Sequence, residues 1–221
     1  RWWGPVDRWT GGNGWVVQVS PKLIFLQRYE TKSKMPNRSN PNPSWPDDEA
    51  KPFMNKGDLN AAMTVYMRAV AANPENGTAY YKIGLLSHHM GRINGAITAY
   101  KRSLAINPTA ECHYNLGIAL ERKGDTDGAI AAYKRALAIN PAHAKARNNL
   151  GTELAKEGDL DGAIAAFRQA DGDVRSHYNL GLALRKKGDL AGSMDAYKRA
   201  LAIDPSNTAT KQQLQEVFEE R

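Results

Sequence analysis

Few side chains in this sequence are spaced for chemistry. His88 and His89 are adjacent, so on a helix they point about 100° apart and make a poor pair of ligands for one metal ion. Asp125-Thr126-Asp127-Gly128 and Asp159-Leu160-Asp161-Gly162 have the opening rhythm of a calcium loop but lack its third ligand and its closing glutamate. An aspartate there has a simpler role, accepting hydrogen bonds from the free N–H groups at the start of a helix. The single cysteine, Cys112, excludes an intrachain disulfide and a cysteine zinc site; it is expected on a helix surface and unreactive. No nucleophile, base and orienting group converge, so the sequence reads as non-catalytic, without cofactor or metal. One pattern is left, a polar column of Lys82, Asn115, Asn149 and Asn179 at intervals of 33, 34 and 30 residues. A carboxamide donates and accepts at once, so a row of them can hold peptide units by C=O and N–H without reading their side chains.

The same intervals organise the rest of the chain. Gly84, Gly117, Gly151 and Gly181 keep them, as do Gly91, Gly124, Gly158 and Gly188, with Gly57 one unit earlier. Tyr66, Tyr100, Tyr133, Phe167 and Tyr197 form an aromatic column, and Pro74, Pro108, Pro141 and Pro205 close four of the units. In the third unit Leu116, Leu120, Ile130, Tyr133 and Leu137 fall three or four apart within each segment, which is helical periodicity. Gly124 marks where the first helix stops, and Pro141 separates one unit from the next. Gly117 and Ala129 are expected to face each other across the hairpin, with Tyr133 filling space toward the neighbouring unit.

The stretches His113–Pro141 and His177–Pro205, with their weaker copies, resemble the tetratricopeptide repeat. The resemblance implies an all-α fold, a right-handed α-solenoid of helix-turn-helix repeats with a C-terminal capping helix. Five units are expected at 43–76, 77–109, 110–143, 144–173 (shortened) and 174–207, with the cap at 208–221. On the cap, Leu214 and Phe218 would cover the last hairpin while Lys211, Gln212, Glu216 and Glu219 face water. Pro52 should leave the opening helix short or bent. The fourth unit is 30 residues long, so its second helix should end near Ala170, with Gly172 as terminator and a local kink in the superhelix. Residues 1–42 carry no repeat and read as a disordered or non-native extension, and a start at Arg1 reads as a fragment or processed product.

In tetratricopeptide arrays the face carrying the polar column lines the concave groove. The column resembles the asparagine ladder of the O-linked N-acetylglucosamine transferase superhelix over Asn115, Asn149 and Asn179; Lys82 breaks it at one end and Gln213 extends it at the other. Helices pack ~8–10 Å apart and an extended chain advances ~3.3–3.6 Å per residue, so one asparagine per unit would grip about every third peptide residue. Tyr81, Tyr114, Asn148 and Tyr178 stand one residue before the column, and Leu85, Ile118, Thr152 and Leu182 three after it. The tyrosines fit both a binding surface and packing between units. His89, Arg122, Lys156, Arg185 and Lys186 form a basic rim, with Lys145 and Arg175 near its start. The full carboxylate clamp of chaperone-binding members is not matched.

The 221 residues, 42% hydrophobic and 24% charged, fit a globular protein and neither a disordered chain nor a membrane bundle. The net charge of +7 is spread along the chain rather than gathered in a tail, which favours acidic partners over a nucleic-acid arm. The expected function is a scaffold for protein–protein interaction that binds an extended, acidic peptide segment. One alternative is the substrate-recognition arm of a larger glycosyltransferase-like enzyme, and another is RNA binding through the basic face. No membrane insertion is expected, a single cysteine fits a reducing, cytoplasmic compartment, and the sequence sets no oligomeric state.

Overall fold

The computed structural model describes residues 45–170 and 172–220, all within the second of two units, Arg1–Asn42 and Pro43–Arg221. The expectations for residues 1–42 lie outside the described residues. Among the described residues there are eleven helices and no strand. The first helices of successive hairpins are α1 (Trp45–Asn55), α3 (Gly77–His89), α5 (Ala110–Lys123), α7 (Ala144–Glu157) and α9 (Val174–Lys187). Their second helices are α2 (Leu59–Ala72), α4 (Ile93–Ile106), α6 (Thr126–Ile139), α8 (Leu160–Gln169) and α10 (Leu190–Ile203), and α11 (Thr208–Glu219) closes the stack. Neighbouring first helices approach each other directly, α3 with α5 and α7 with α9, whereas no two second helices come as close. The stack therefore bends toward its first helices, which form the inner wall.

The turn chemistry comes straight from the sequence. Gly124 ends α5 at φ +83°, a left-handed conformation open to glycine. The next residue, Asp125, caps α6 by accepting the Gly128 N–H at 3.0 Å. Asp58, Asp159 and Asp189 cap α2, α8 and α10 in the same way. A Cβ at Gly128 would sit 2.7 Å from the Asp125 carboxylate, which would have to swing aside; at the equivalent position of α2 the same cap is made to an alanine, Ala61. The calcium-like spacing is thus the signature of a helix cap. Only α4, among these five second helices, starts without a side-chain cap, at Arg92.

Packing inside each hairpin centres on the aromatic column. Tyr100, Tyr133 and Tyr197 are fully buried, each ring covering on the order of 150–250 Å². An added Cβ on Gly117 would meet the Tyr133 ring at 2.4 Å, and Gly84 stands in the same relation to Tyr100 and Gly181 to Tyr197. Tyr133 therefore lies across the glycine of its own hairpin, a closer relationship than the expected Gly117–Ala129 contact.

Two expectations change. Cys112 is buried, not on the helix surface: its Sγ faces the Tyr100 carbonyl at 3.6 Å, and burial pushes its thiol up to about 11. It lies five residues before Gly117 on the face that meets α4, so it belongs to the core. The inner face of α11 is Thr210, Leu214 and Val217, a four-then-three spacing, while Phe218 is 49% exposed. One residue is 100° of helix, so Phe218 is rotated away from the contact. Pro52 sits inside the eleven-residue α1.

The shortened fourth unit appears in α8, which has ten residues where α6 and α10 have fourteen. Ala170 caps it and Gly172 follows at φ +97°. Arg147 bonds the Gln169 carbonyl at 2.9 Å and the Pro141 carbonyl as well, satisfying an acceptor that the missing turn would have covered.

Candidate functional site

The polar column lies on the first helices, and its members are half-buried. Asn115 Nδ2 donates to the Tyr81 hydroxyl at 3.0 Å and to its own helix at the Glu111 carbonyl, 2.9 Å. Asn179 Nδ2 donates to Asn148 Oδ1 at 3.2 Å. Lys82 Nζ lies 3.7 Å from Asp47. In all three cases the column residue reaches the preceding unit at the position one before its own column. Asn149 is the exception: it donates to the Tyr133 hydroxyl at 3.3 Å. Tyr114, which would have been its partner, lies tilted against the His143 ring instead, centroids 4.8 Å apart. His143 in turn caps α7 through Nδ1 and contacts Glu111 through Nε2 at 3.3 Å.

The anchoring bonds use the amide NH₂ groups. The Oδ1 atoms of Asn115, Asn149 and Asn179 take no protein hydrogen bond among the described residues. Each carboxamide is therefore oriented by its neighbour with an acceptor to spare. The tyrosines beside the column do two jobs. Tyr81, Tyr114 and Tyr178 are half-buried, each tilted against the second-helix ring of its own hairpin at 6.1, 6.1 and 6.0 Å. Burial, with Glu111 nearby, pushes Tyr81 up to about 12 against the opposing bond from Asn115, so its hydroxyl stays protonated.

Tetratricopeptide repeat family models match residues 51–91, 75–142, 114–173 and 174–207, between them covering each of the five hairpins at least in part. The chain is a tetratricopeptide repeat protein.

Solved structures agree with that tetratricopeptide fold. A MamA crystal structure is 28% identical with TM-score 0.68, covering 76% of this chain and 94% of that one. YrrB, described as a TPR protein with an unusual peptide-binding site, is 24% identical with TM-score 0.66, covering 74% and 87%. A tetratricopeptide repeat protein from Parabacteroides merdae is 18% identical with TM-score 0.70, covering 80% and 72%. No curated protein sequence is similar enough to match.

Within the tetratricopeptide array the other site residues divide. Asn148 is buried at 5% exposure and holds Asn179 and Ser176, so it joins two units rather than facing the groove. Leu85, Ile118 and Thr152 are half-buried and Leu182 is 36% exposed. The rim is less free than its composition implies. Arg185 is held by Gln213, Glu216 and Glu220 of the cap, which also places Gln213 at the end of the column. Lys156 is held by Glu121 and Glu153, which raise its pKa. Arg175 pairs with its neighbour Asp173. Arg122 and Lys186 are exposed with no ion pair among the described residues, as are His89 and Lys145.

Two features escaped the sequence reading. Asp47 had a signal, since it lies 34 residues before Tyr81 and so occupies the same column. Glu153 had none: it is 1% exposed at a position where other units carry Leu86, Ala119 and Ala183. Among the described residues no group of three or more His, Cys, Asp or Glu side chains could hold a metal, and no helix is long and apolar enough to cross a membrane.

Proposed function

We propose that this protein is a non-catalytic scaffold that holds an extended, acidic peptide segment against its inner wall. Asn115, Asn149 and Asn179 accept hydrogen bonds from peptide N–H groups, Tyr81, Tyr114 and Tyr178 offer edge and hydroxyl contacts, and Arg122 and Lys186 attract carboxylates. The observation that carries this reading is the half-used state of the three carboxamides, each tethered through Nδ2 with Oδ1 left over. A pre-oriented acceptor loses little freedom on binding, which favours affinity for a main chain. The resemblance of the column to the glycosyltransferase ladder supports the same backbone-gripping role; as the recognition arm of a larger enzyme the chain would use the same atoms.

The test starts from an immobilised library of extended peptides of graded acidity, probed with the full chain. Asn115→Ala, Asn149→Ala and Asn179→Ala combined should cost a selected peptide at least about tenfold in affinity, from three lost hydrogen bonds. Thermal stability should fall only modestly. Unchanged affinity in a folded triple variant overturns the reading.

A further inference from the structure

The outer wall is built from the second helices, and its exposed residues repeat in rows. Lys101-Arg102 on α4, Lys134-Arg135 on α6 and Lys198-Arg199 on α10 occupy one register, all exposed, and Arg168 on α8 continues the row. None of these seven forms an ion pair or side-chain hydrogen bond among the described residues. At longer range Glu157 senses Lys134 and His113 senses Arg135, and Asp161 lines one pocket with Arg168. The positions one turn earlier, where a carboxylate would neutralise the row, hold Thr98, Ala131 and Ala165; only α10 has one, Asp195. Helix polarity does not explain the row either, because α4, α6 and α10 have no basic residue in their last turn.

One turn beyond the basic row stands an aliphatic one. Ile139 follows Arg135 by four residues and Ile203 follows Arg199 by four, so each shares its arginine's helix face, at 49% and 48% exposure. On α2 the basic row stops: Met67, 48% exposed, stands 34 residues before Lys101, and Arg68 pairs with Glu49. Half of the six large apolar side chains exposed among the described residues thus lie on the second helices. The residues between the rows, Ala105, Ala138 and Ala202, are small and exposed, so nothing bulky holds a flat partner away.

We propose that this wall docks on an anionic membrane surface, with the Lys-Arg pairs at the headgroups and Ile139 and Ile203 at the edge of the acyl region. Unpaired cations beside exposed aliphatics are the chemistry of a peripheral membrane contact. Single-stranded nucleic acid fits less well, since no aromatic side chain on this wall offers a base a stacking platform. The inference is independent of the groove, which lies on the opposite wall.

The test is co-sedimentation of the full chain with vesicles of phosphatidylcholine alone and of three parts phosphatidylcholine to one part phosphatidylserine. The expected result is binding to the mixed vesicles only, weakening as salt rises. Glutamine at Lys101, Arg102, Lys134, Arg135, Lys198 and Arg199 should lower the partition coefficient at least about tenfold, with an unchanged helical circular dichroism spectrum. Ile139→Ser with Ile203→Ser, all charges kept, should lower it several-fold. The triple asparagine variant should bind vesicles like the parent. Equal binding by the glutamine variant overturns the proposal. So does insensitivity to the isoleucines together with tight binding of a duplex or single-stranded oligonucleotide, which would make the row a phosphate-backbone surface.

Discussion

Asn115 and Tyr81, 34 residues apart in the chain, meet across the boundary between two hairpins with the amide nitrogen 3.0 Å from the phenol oxygen. The contact joins two levels of the structure. It ties α5 to α3, and it turns the Asn115 carboxamide so that its oxygen is left over on the inner wall. Lys82 with Asp47 and Asn179 with Asn148 repeat the arrangement with other polar pairs. A column that reads as a ligand site in sequence is at the same time a seam between units.

The uncapped start of α4 should be easy to improve. Arg92 has φ −83° and ψ 66°, close to the −91° and 78° of Asp125. The glycine three residues on, Gly95, has no atom within 3.7 Å of its Cβ position, leaving room for a carboxylate. Arg92→Asp should raise stability by about 1 kcal/mol, read as a higher urea midpoint with unchanged slope.

Gly117 should not tolerate even a methyl group. Gly117→Ala puts a Cβ 2.4 Å from the Tyr133 ring. The overpacking cost of about 1–3 kcal/mol exceeds the gain of about 1 kcal/mol in helix propensity. The variant should melt lower, and adding Tyr133→Leu should recover part of the loss relative to Tyr133→Leu alone.

How much of this was legible in the sequence depends on how each residue acts. Glycine, proline and aspartate act locally, so Gly124, Asp125 and the early end of α8 could be read from the chain, and the 33- and 34-residue intervals gave the stacking. Cys112 and Phe218 were misplaced because a helix face is set by a rotation of 100° per residue, and both hang on which neighbour the helix meets. The rim was over-read for a different reason. Arg185 and Lys156 look free in sequence, while their partners Glu220 and Glu121 lie 35 residues away. The alignment of Lys101, Lys134 and Lys198 into one row has the same origin, since only stacking brings such distant residues side by side.

Glu153 and Lys156 should respond asymmetrically. Removing the lysine leaves a buried carboxylate with less compensation, so Lys156→Met should cost about 1–3 kcal/mol. Glu153→Ala, which copies Ala119 and Ala183, should be neutral or stabilising by about 1 kcal/mol. Equal destabilisation by both variants in urea unfolding would show that the pair contributes net stability.

Stability should be greatest between about pH 6.5 and 10. Burial lowers His88 and His113 below their unfolded value of 6.5, so the neutral rings favour the folded state and stability is lost as pH falls below it. Burial raises Tyr66, Tyr81, Tyr100 and Tyr133 above 10.0, so stability is lost as pH climbs past 10, through about 12 for Tyr81. Urea midpoints followed by circular dichroism, with phenolate absorbance alongside, would trace both edges.

The central claim is that a peptide main chain lies on the three carboxamides, and side-chain amide resonances report on it most directly. With the chain labelled with nitrogen-15 and titrated with a peptide selected from the library, the Nδ2 signals of Asn115, Asn149 and Asn179 should shift together along one binding isotherm. The backbone amides of Lys101, Lys134 and Lys198 should stay still. Saturable binding that moves the outer-wall amides and leaves the three asparagines silent would contradict the account.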